Sequence, residues 1–393
     1  MSWRGCCEKN QLVTLGKHID ILSGCAFPSS GFNRNNGVPL IRIRDILSGK
    51  TETYYEGSYD LKYLIKKGDL LVGMDGDFNR EYWKGTDALL NQRVCKITPN
   101  PETLDKNFLY HFLQKELDKI HATTDVVTVK HLSVKKIQDI KIRLPSLKEQ
   151  KRIAAILDKA DGIRQKREQA IKLADDFLRA TFLEMFGDPV ENPKKLKKSP
   201  ITELADVITG FAFKSNEYIN DSSEAVRLCR GANTLTGYLN WADTKFWPKN
   251  KLEKLDNYLI KAGDIILAMD RPWISSGLKV CIFPENQRET YLVQRVARLR
   301  PRCESYTNYI YSCIKSPAFE KHCCPTETTV PHISPVELKI FEVLIPLDEL
   351  MVNFHSIVSI INNSLNKMAS GDVDSDALFS KLSQQAFSGH LKR

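Results

Sequence analysis

The sequence predicts a mixed α/β (α+β) protein in which two similar modules with mixed β-sheets are separated by two long helices packed as an antiparallel coiled coil. Three observations predict it. A set of short anchors occurs twice in the same order, strand-like segments fill each copy, and a long segment with helical periodicity follows each copy. The repeat is domain-sized and occurs twice, so the chain is not a solenoid.

The anchors are a Gly-Asp turn, a Gln-Arg-Val segment, a His-apolar-Ser segment and a strand that ends in proline. They occur at Gly68-Asp69 and Gly263-Asp264, Gln92–Val94 and Gln294–Val296, His131–Ser133 and His332–Ser334, and Ile142–Pro145 and Val343–Pro346. The spacing between copies drifts by a few residues, as expected when loops vary on a kept scaffold. A duplicated module joined by helices suggests a protein that recognises two features at a fixed separation.

The first module predicts short strands and one helix. Strand patterns lie at Val38–Arg44, Leu70–Met74 and Arg93–Ile97, and a helical pattern lies at Asn107–Ile120. The segment Leu132–Leu144 is expected to begin with a Ser133 helix cap and to end in a strand before Pro145.

Residues 148–185 predict one long helix, because Glu149–Phe186 contains no proline and a single glycine. Steps of three and four residues form a heptad-type seam through Ile156, Ala160, Ile163, Arg167, Ala170, Ala174 and Phe177. A second amphipathic pattern from Leu350 to Met368 is broken at Gly371–Asp374 and resumes from Ser375 toward Phe387.

Two apolar seams favour an antiparallel pair of helices that places the modules at opposite ends of a rod. The alternative is that each helix packs on its own module. A Lys- and Pro-rich linker follows Gly187-Asp188-Pro189. We therefore expect four segments: a module at 1–146, a helical spacer at 147–187, a second module at 188–346 and a distal helical spacer at 347–393.

Composition excludes several classes of protein. The 393 residues carry a formal net charge of +9, which permits a polyanionic partner without requiring one. No apolar run is long enough to span a membrane and the N-terminus lacks a signal-peptide core, so we expect a cytoplasmic protein. The ten cysteines are expected to be reduced and mostly buried. A metal site from His322, Cys323, Cys324 and Cys313 lacks the usual ligand spacing.

No familiar catalytic motif is present: the sequence has no phosphate-binding loop, dinucleotide fingerprint, zinc-hydrolase motif or nucleophile elbow. Asp75 and Asp77 could act as paired carboxylates, but only the first has a counterpart in the second copy, at Asp270. We interpret Asp75 and Asp270 as structural residues at strand ends. The sequence thus predicts no catalytic residue, no metal and no cofactor in this chain.

The Pro-ended strands, the helix start Leu147–Ala154 and the helix end Glu184–Asp188 together resemble the specificity subunit of Type I restriction–modification systems. The resemblance covers nearly the whole chain. It implies two target recognition domains that each bind half of a split DNA sequence, held apart by the helices. It also implies two methyltransferase (modification) subunits that use S-adenosylmethionine, and restriction subunits that use ATP and Mg. The specificity subunit itself catalyses nothing.

The resemblance places partner-binding positions on the helices, at Gln150, Ile153, Ile156, Ile163, Phe177, Phe354 and Ile361. The second helix start, Leu347–Asn353, keeps Glu349 but lacks the glutamine of the first. The expectation of docking is therefore stronger for the first helix than for the second.

DNA contacts are expected from cations in loops and at strand ends, since phosphate contacts position a protein and base-edge contacts specify sequence. The candidates are Arg42, Arg44, Arg80, Lys84, Arg93, Lys130 and His131 in the first module and Lys214, Arg227, Arg230, Arg271, Lys279, Arg295 and His332 in the second. For Arg93 and Arg295, phosphate contact and structural pairing remain equal alternatives. For both histidines, helix capping or groove lining remains the alternative to a DNA role.

Between the anchors the modules differ: Gly76–Trp83 has no likeness to Arg271–Ser276. Identical modules would fit a palindrome, so unlike ones predict an asymmetric, bipartite DNA target. Two other functions stay open. One is a non-catalytic scaffold that binds RNA or protein, which the salt dependence of binding would separate from a DNA reader. The other is the specificity chain of a related modification-only or phage-exclusion system.

Overall fold

The computed structural model describes residues 11–124, 130–324, 332–369, 375–388 and 390–391. The predicted helix break at Gly371–Asp374 lies outside these residues, as do two of the ten cysteines, Cys6 and Cys7. The chain divides into two compact units, the first formed by Met1–Glu168 with Gly371–Arg393 and the second by Gln169–Ser370. No helix in the described ranges has the length and apolarity that crossing a membrane requires.

The helices confirm the periodicities of the sequence. They are α1 (Lys106–Ala122), α2 (Val134–Gln138), α3 (Leu147–Phe186), α4 (Thr307–Ile314), α5 (Pro317–Cys323), α6 (Pro335–Ile340), α7 (Asp348–Ala369) and α8 (Ser375–Ser388). The Ser133 hydroxyl accepts a hydrogen bond from the Lys136 N–H, so the predicted cap of α2 is confirmed.

The first unit contains two antiparallel sheets and one mixed sheet. Its strands are β1 (Gln11–Thr14), β2 (Ile19–Ser23), β3 (Phe32–Asn33), β4 (Val38–Ile41), β5 (Tyr54–Tyr55), β6 (Leu64–Ile65), β7 (Leu70–Gly73), β8 (Arg80–Tyr82), β9 (Ala88–Leu90), β10 (Val94–Pro99) and β11 (Lys141–Leu144). Strand β1 pairs with β11, and a four-stranded sheet has the order β2-β10-β7-β8. A five-stranded sheet has the order β3-β5-β4-β9-β6, with β4 and β9 parallel.

The second unit repeats this plan. Its strands are β12 (Lys197–Pro200), β13 (Ala205–Thr209), β14 (Ala225–Cys229), β15 (Lys245–Pro248), β16 (Ile265–Ala268), β17 (Trp273–Ile274), β18 (Gly277–Leu278), β19 (Val280–Ile282), β20 (Thr290–Leu292), β21 (Val296–Pro301) and β22 (Glu342–Ile345). Strand β12 pairs with β22, a four-stranded sheet has the order β13-β21-β16-β19, and β14 lies parallel to β20. The mixed α/β class and the duplication are confirmed. The hairpin of β17 and β18 belongs to the second unit alone among the described residues.

The repeated Gly-Asp turns have one conformation. Gly68 and Gly263 lie in the left-handed region, with φ of +88° and +82°, which glycine adopts without steric cost. The carboxylates of Asp69 and Asp264 each accept a hydrogen bond from the backbone N–H three residues earlier, at 2.9 and 2.7 Å. These bonds close the turn that leads into β7 and β16.

One predicted strand is shorter than expected. The alternating segment was expected to continue to Arg44, but β4 ends at Ile41. The Arg42 N–H donates to the Asp45 carboxylate at 2.8 Å, and this bond closes a short 3-10 turn over Ile43–Asp45. A local side-chain bond therefore replaces the sheet.

Within the first unit, α8 packs on α1 and on the first part of α3. The guanidinium of Arg164 lies 5.7 Å from the ring centroid of Phe379, whereas Ala386 lines a cleft with Ile153. The earlier residue of α8 contacts the later residue of α3, and the later residue of α8 lies beside the earlier one. The two helices are therefore antiparallel in this unit. The ring of Phe387 also packs on α1, 5.3 Å from the ring of Phe108.

Within the second unit, α7 packs on the last part of α3 through aromatic rings. Phe354 lies 5.8 Å from Phe182 and 5.4 Å from Phe186, and Phe186 lies 4.7 Å from Tyr309 of α4. These rings belong to the core of the module. In each unit, a distal helix thus contacts both α3 and the core of that unit.

The apolar seam of α3 follows a slightly different line from the predicted one. Ile163 and Phe177 are 57% and 54% exposed. The adjacent Arg164 packs on α8, and the adjacent Leu178 packs against the core of the second unit. Those contacts fix the rotation of the helix, so Ile163 and Phe177 lie beside the seam.

Candidate nucleic-acid interface

Three anchor residues of the first module meet at one exposed cluster. Asp75 follows β7, Arg93 precedes β10 and His131 precedes α2. The Nδ1 atom of His131 lies 2.6 Å from Oδ1 of Asp75, and Nε of Arg93 lies 3.4 Å from Oδ2 of the same carboxylate. We call Asp75, Arg93 and His131 the first node.

The corresponding residues of the second module form the same cluster. The Nδ1 atom of His332 lies 2.7 Å from Oδ1 of Asp270, and Nη1 of Arg295 lies 3.0 Å from the same oxygen. Asp270 follows β16, Arg295 precedes β21 and His332 precedes α6. We call Asp270, Arg295 and His332 the second node. The structural-pairing alternative for both arginines is therefore observed, as an ion pair with the aspartate.

The backbone holds both nodes in the same way. Asp75 forms an isolated β-bridge with His131, and Asp270 forms one with His332. Arg93 and Arg295 lie in the left-handed region, with φ of +72° and +70°. Their carbonyls accept hydrogen bonds from Met74 and Met269, at 2.8 and 2.9 Å. The arginine thus sits at a tight turn that is fixed to the strand beside it.

Glycine is required beneath each turn. A Cβ atom on Gly24 would lie 2.0 Å from the backbone oxygen of Asn91, and one on Gly210 would lie 2.2 Å from that of Val293. No rotation of a side chain relieves such contacts, because the obstacle is the main chain. The repeated Gly24 and Gly210 therefore allow the strand to pass close to the arginine turn.

Further cations surround the second node. The pKa of Lys279 is lowered, first by burial and also by the positive charge of Arg271, while the charge of Asp270 opposes the shift. Arg271 directly follows Asp270 and has a φ of +44°. Four of the predicted DNA candidates of the second module are thus neighbours around Asp270.

Around the first node the arrangement is sparser. The carbonyl of Lys130 accepts a hydrogen bond from the Gly76 N–H, and the Lys130 ammonium donates to the His121 carbonyl at 2.7 Å. Lys130 is thus tied to the end of α1. The two modules present different sets of cations around the same core.

Several predicted candidates lie outside the nodes. The guanidinium of Arg42 lies 5.4 Å from the centroid of the Phe32 ring. Arg44 pairs with Asp45 at 3.7 Å and Lys84 pairs with Glu81 at 3.6 Å, and both cations are largely exposed. Lys214 is exposed at the start of a 3-10 turn. No contact between these residues and a node is observed within the described ranges.

Arg80 and Arg227 each contact aromatic and polar side chains of their own unit, and their DNA contact stays a prediction. The guanidinium of Arg80 stacks 3.5 Å from the centroid of Tyr110, which also stacks on Tyr82. Arg227 is 9% exposed, lies 3.6 Å from the Trp241 centroid and donates to Thr290. Burial lowers the pKa of Arg227. Arg227 is thus the more enclosed of the two, since Arg80 is half-buried.

Arg230 is also held by its neighbours. Its Nη2 donates to a carboxylate oxygen of Asp243 at 2.7 Å. The hydrogen bond from Lys245, followed by this one from Arg230, lowers the pKa of Asp243 to about 2. The Nε atom of Arg230 is buried without a hydrogen-bond partner among the described residues. Arg230 therefore anchors the loop after β14.

The helix candidates divide by burial. Gln150, Ile153 and Phe354 are buried inside their units, and their role in partner binding stays a prediction. Gln150 accepts a hydrogen bond from the Asp105 N–H and donates to two carbonyls. The half-buried and exposed candidates are Ile156, Ile361, Ile163 and Phe177.

Asp75 and Asp270 were expected to be structural residues at strand ends, and their contacts with the arginines and histidines were not predicted. The signal was available, because all three positions of a node are repeated in the same order. Five of the eight described cysteines are buried, as expected for reduced thiols. Within the described ranges, no three His, Cys, Asp or Glu side chains are grouped as metal ligands would be.

Residues 8–173 match the family model described as the Type I restriction modification DNA specificity domain. Over 173 residues the chain is 46% identical to the specificity subunit of Type I restriction enzyme EcoBI from Escherichia coli, covering 43% of this chain and 36% of that protein. Over 271 residues it is 26% identical to the MjaVIII specificity subunit from Methanocaldococcus jannaschii, covering 66% of this chain and 63% of the relative. The matches therefore span less than two thirds of either relative.

A crystal structure of the S subunit of a Type I restriction–modification system from M. genitalium shares the fold. It aligns over 96% of both chains with a TM-score of 0.61 and 14% sequence identity. The duplicated sheets and the long helices of this chain are thus consistent with the domain that the family model matches. Residues 8–173 therefore match the Type I restriction modification DNA specificity domain, and the chain is similar to Type I specificity subunits in sequence and in fold.

Proposed function

We propose that this chain is the DNA-binding specificity subunit of a Type I restriction–modification complex, in which each module binds one half of an asymmetric, bipartite DNA target. One observation carries the proposal: two equivalent nodes of exposed basic residues lie in modules whose neighbouring segments differ. A shared mode of holding DNA combined with unlike reading segments is what two different half-sites require. The recognition modules would be residues 1–146 and 188–346, and the helical spacers 147–187 and 347–393.

The proposed partners supply the chemistry. Two modification subunits would dock on exposed positions of the long helices and transfer methyl groups from S-adenosylmethionine. Restriction subunits would use ATP and Mg. The complex would act in the cytoplasm, where the DNA of a bacterial or archaeal host lies. In this proposal the chain described here selects the DNA site and carries no catalytic residue.

The proposal is tested by expressing the chain with its cognate modification subunit and mapping methylated adenines across the host genome. We expect one motif with two unlike halves separated by a gap of fixed length. A palindromic motif or one without a gap would contradict the proposal. Omitting this chain from the same cells provides the control, and methylation at the motif should then be lost.

A further inference from the structure

We infer that each node is a clamp for one phosphate of the DNA backbone. In this clamp the arginine and the histidine contact the phosphate, and the aspartate is a positioning residue that holds both of them. The clamps are Arg93 with His131 on Asp75, and Arg295 with His332 on Asp270. The inference rests on the proposed function and names the chemistry that the nodes recognise.

The choice of phosphate over base follows from the repetition. The segments next to the nodes are unlike, at Gly76–Trp83 and Arg271–Ser276, whereas the nodes themselves have the same three residue types and nearly equal histidine–aspartate distances of 2.6 and 2.7 Å. Base edges differ between two unlike half-sites, but phosphates are the same at every step of a duplex. A cluster built from the same three residue types in both modules fits the ligand that is identical in both half-sites.

Exposure indicates that the arginines have donors to spare. The side chains of Arg93 and Arg295 are 56% and 61% exposed although each is paired with an aspartate. A guanidinium has five N–H donors, and one carboxylate uses only part of them. Exposed ion pairs add little to folding stability, so stability alone does not explain the presence of the pair in both modules.

The backbone conformation points the same way. Both arginines lie in the left-handed region that glycine occupies without steric cost. A non-glycine residue kept there in both copies indicates that its side chain is used, because strained positions of this kind cluster at binding sites.

The histidine geometry makes the clamp sensitive to protons. The 2.6 and 2.7 Å contacts with carboxylate oxygens require a proton on Nδ1. In the neutral ring Nε2 is then an acceptor, and it becomes a donor only when the ring is protonated. A phosphate accepts hydrogen bonds and donates none at neutral pH, so binding it through Nε2 takes up a proton. The shorter aspartate contact takes precedence over the 3.4 Å approach of Arg93 to the same Nδ1.

Other charges near the histidines determine how strongly proton uptake is coupled to phosphate binding. They are Asp75, Arg93 and Lys130 around His131, and Asp270, Arg295, Arg271 and Lys279 around His332. The aspartates and the incoming phosphate attract positive charge at this place, and the cations repel it. The clamp should therefore bind DNA more tightly at the acid end of the range in which histidine titrates.

The first experiment measures salt dependence. Fluorescence anisotropy gives the affinity of the full-length chain for a random-sequence duplex long enough to reach both modules, over a series of salt concentrations. Replacing both arginines (Arg93→Gln with Arg295→Gln) should make the slope of log K against log[salt] shallower by about two, one for each lost phosphate contact. The matched control replaces Lys62 and Lys251, which are ion-paired outside the nodes, by glutamine and should keep the wild-type slope.

The outcomes separate the two proposals. A wild-type chain that fails to bind duplex DNA in a salt-dependent way contradicts the proposed function. A wild-type chain that binds, with an unchanged slope in the double glutamine variant, overturns the clamp alone. If the double glutamine variant lowers the melting temperature, the same salt series is measured on the double variant Arg93→Lys with Arg295→Lys. A phosphate contact predicts the wild-type slope with weaker binding, and wild-type affinity would overturn it.

The second experiment measures pH dependence. The affinity of the wild-type chain should fall as the pH rises from about 5.5 to about 8, across the titration of histidine. His131→Gln with His332→Gln should remove that fall. His18→Gln is the matched control, since the His18 ring contacts the Thr103 hydroxyl away from the nodes. A double variant that keeps the wild-type pH profile overturns the role of the histidines.

Discussion

In the first unit, Nε2 of His111 on α1 lies 2.7 Å from Oδ1 of Asp158 on α3, and the His111 side chain is 2% exposed. Its other ring nitrogen, Nδ1, is buried and has no hydrogen-bond partner among the described residues. A donating Nε2–H and a bare Nδ1 describe a neutral ring. Burial is the main cause that lowers the pKa of His111, and Asp158 only partly opposes it. The neutral His111 ring thus links α1 of the module to the long helix α3.

The His111 pair predicts acid sensitivity of the first unit. Because the folded pKa of His111 lies below the unfolded value, the unfolded chain binds a proton that the folded chain excludes. The stabilisation is complete above the ordinary histidine pKa and is lost as the pH falls below about 6.5. Thermal unfolding followed by circular dichroism between about pH 5 and 8 should show this loss.

A variant isolates the contribution of that ring. His111→Gln keeps a donor for Asp158 but does not titrate, so its melting temperature should depend less on pH than that of the wild type. His18→Gln is the control and should retain the wild-type dependence. The same pH dependence in His111→Gln and in the wild type would show that another group is responsible.

The glycine beneath the arginine turn predicts a large steric effect. Gly24→Ala places a Cβ atom 2.0 Å from a backbone oxygen, so the strand or the turn must move. We expect a loss of at least about 1–3 kcal/mol in the free energy of unfolding. Urea unfolding measures it.

The matched control lies on α3, where a Cβ atom on Gly162 meets nothing within 4 Å. Gly162→Ala should stabilise the chain by about 0.5–1 kcal/mol, because alanine favours a helix interior more than glycine does. If Gly24→Ala proved as harmless as Gly162→Ala, the close approach of the two backbones would be wrong.

Local sequence patterns predicted the helices and strands. The site was harder to predict, because it depends on contacts between residues far apart in the sequence. The helix over 148–185 and the cap at Ser133 follow from periodicity and capping rules that involve near neighbours. The node depends on Asp75 meeting His131, more than fifty residues away in sequence, and no pairwise rule predicts that contact. The internal repeat was the one available clue, since it marked all three positions.

The same limit explains why the surroundings of some candidate side chains were not predicted. Arg80 has the composition of a DNA contact and lies on a short strand near unlike segments, but Tyr110 from α1 takes its guanidinium. Gln150 falls on a helix whose partner-facing side could not be separated from its core-facing side by periodicity, because both sides carry apolar residues. Burial at such positions is set by the rotation of the helix, which depends on distant contacts such as that of Arg164 with Phe379.

Gln150 should be important for stability through its hydrogen bonds. Its amide joins the Asp105 N–H to the carbonyls of Thr103 and Pro145, and it is fully buried. Gln150→Met leaves these groups unpaired and should cost about 1–3 kcal/mol in the free energy of unfolding. The second copy has a buried methionine near this position, Met351. Met351→Leu is the control and should cost less than about 1.5 kcal/mol.

Unequal surroundings of the nodes predict a half-site effect. Arg271 is exposed beside the second node and has no counterpart after Asp75, where Gly76 stands. In the complex with modification subunits, Arg271→Ala should alter the methylated motif in one half only. The control is Lys254→Ala, another exposed cation with positive φ in the same unit, which should leave the motif unchanged. A change in both halves would contradict separate reading by the two modules.

Exposed apolar residues of α3 predict where assembly can be lost without unfolding. Ile163 and Phe177 are more than half exposed, so Ile163→Asp with Phe177→Asp should change the free energy of unfolding by no more than about 0.5 kcal/mol. A carboxylate introduced into an apolar contact is costly, so the same variant should fail to copurify with the modification subunit. Leu157→Asp is the contrast, since Leu157 is fully buried and an unpaired charge there should unfold the first unit. Copurification of the Ile163 and Phe177 variant at the wild-type level would show that the modification subunit docks on another surface.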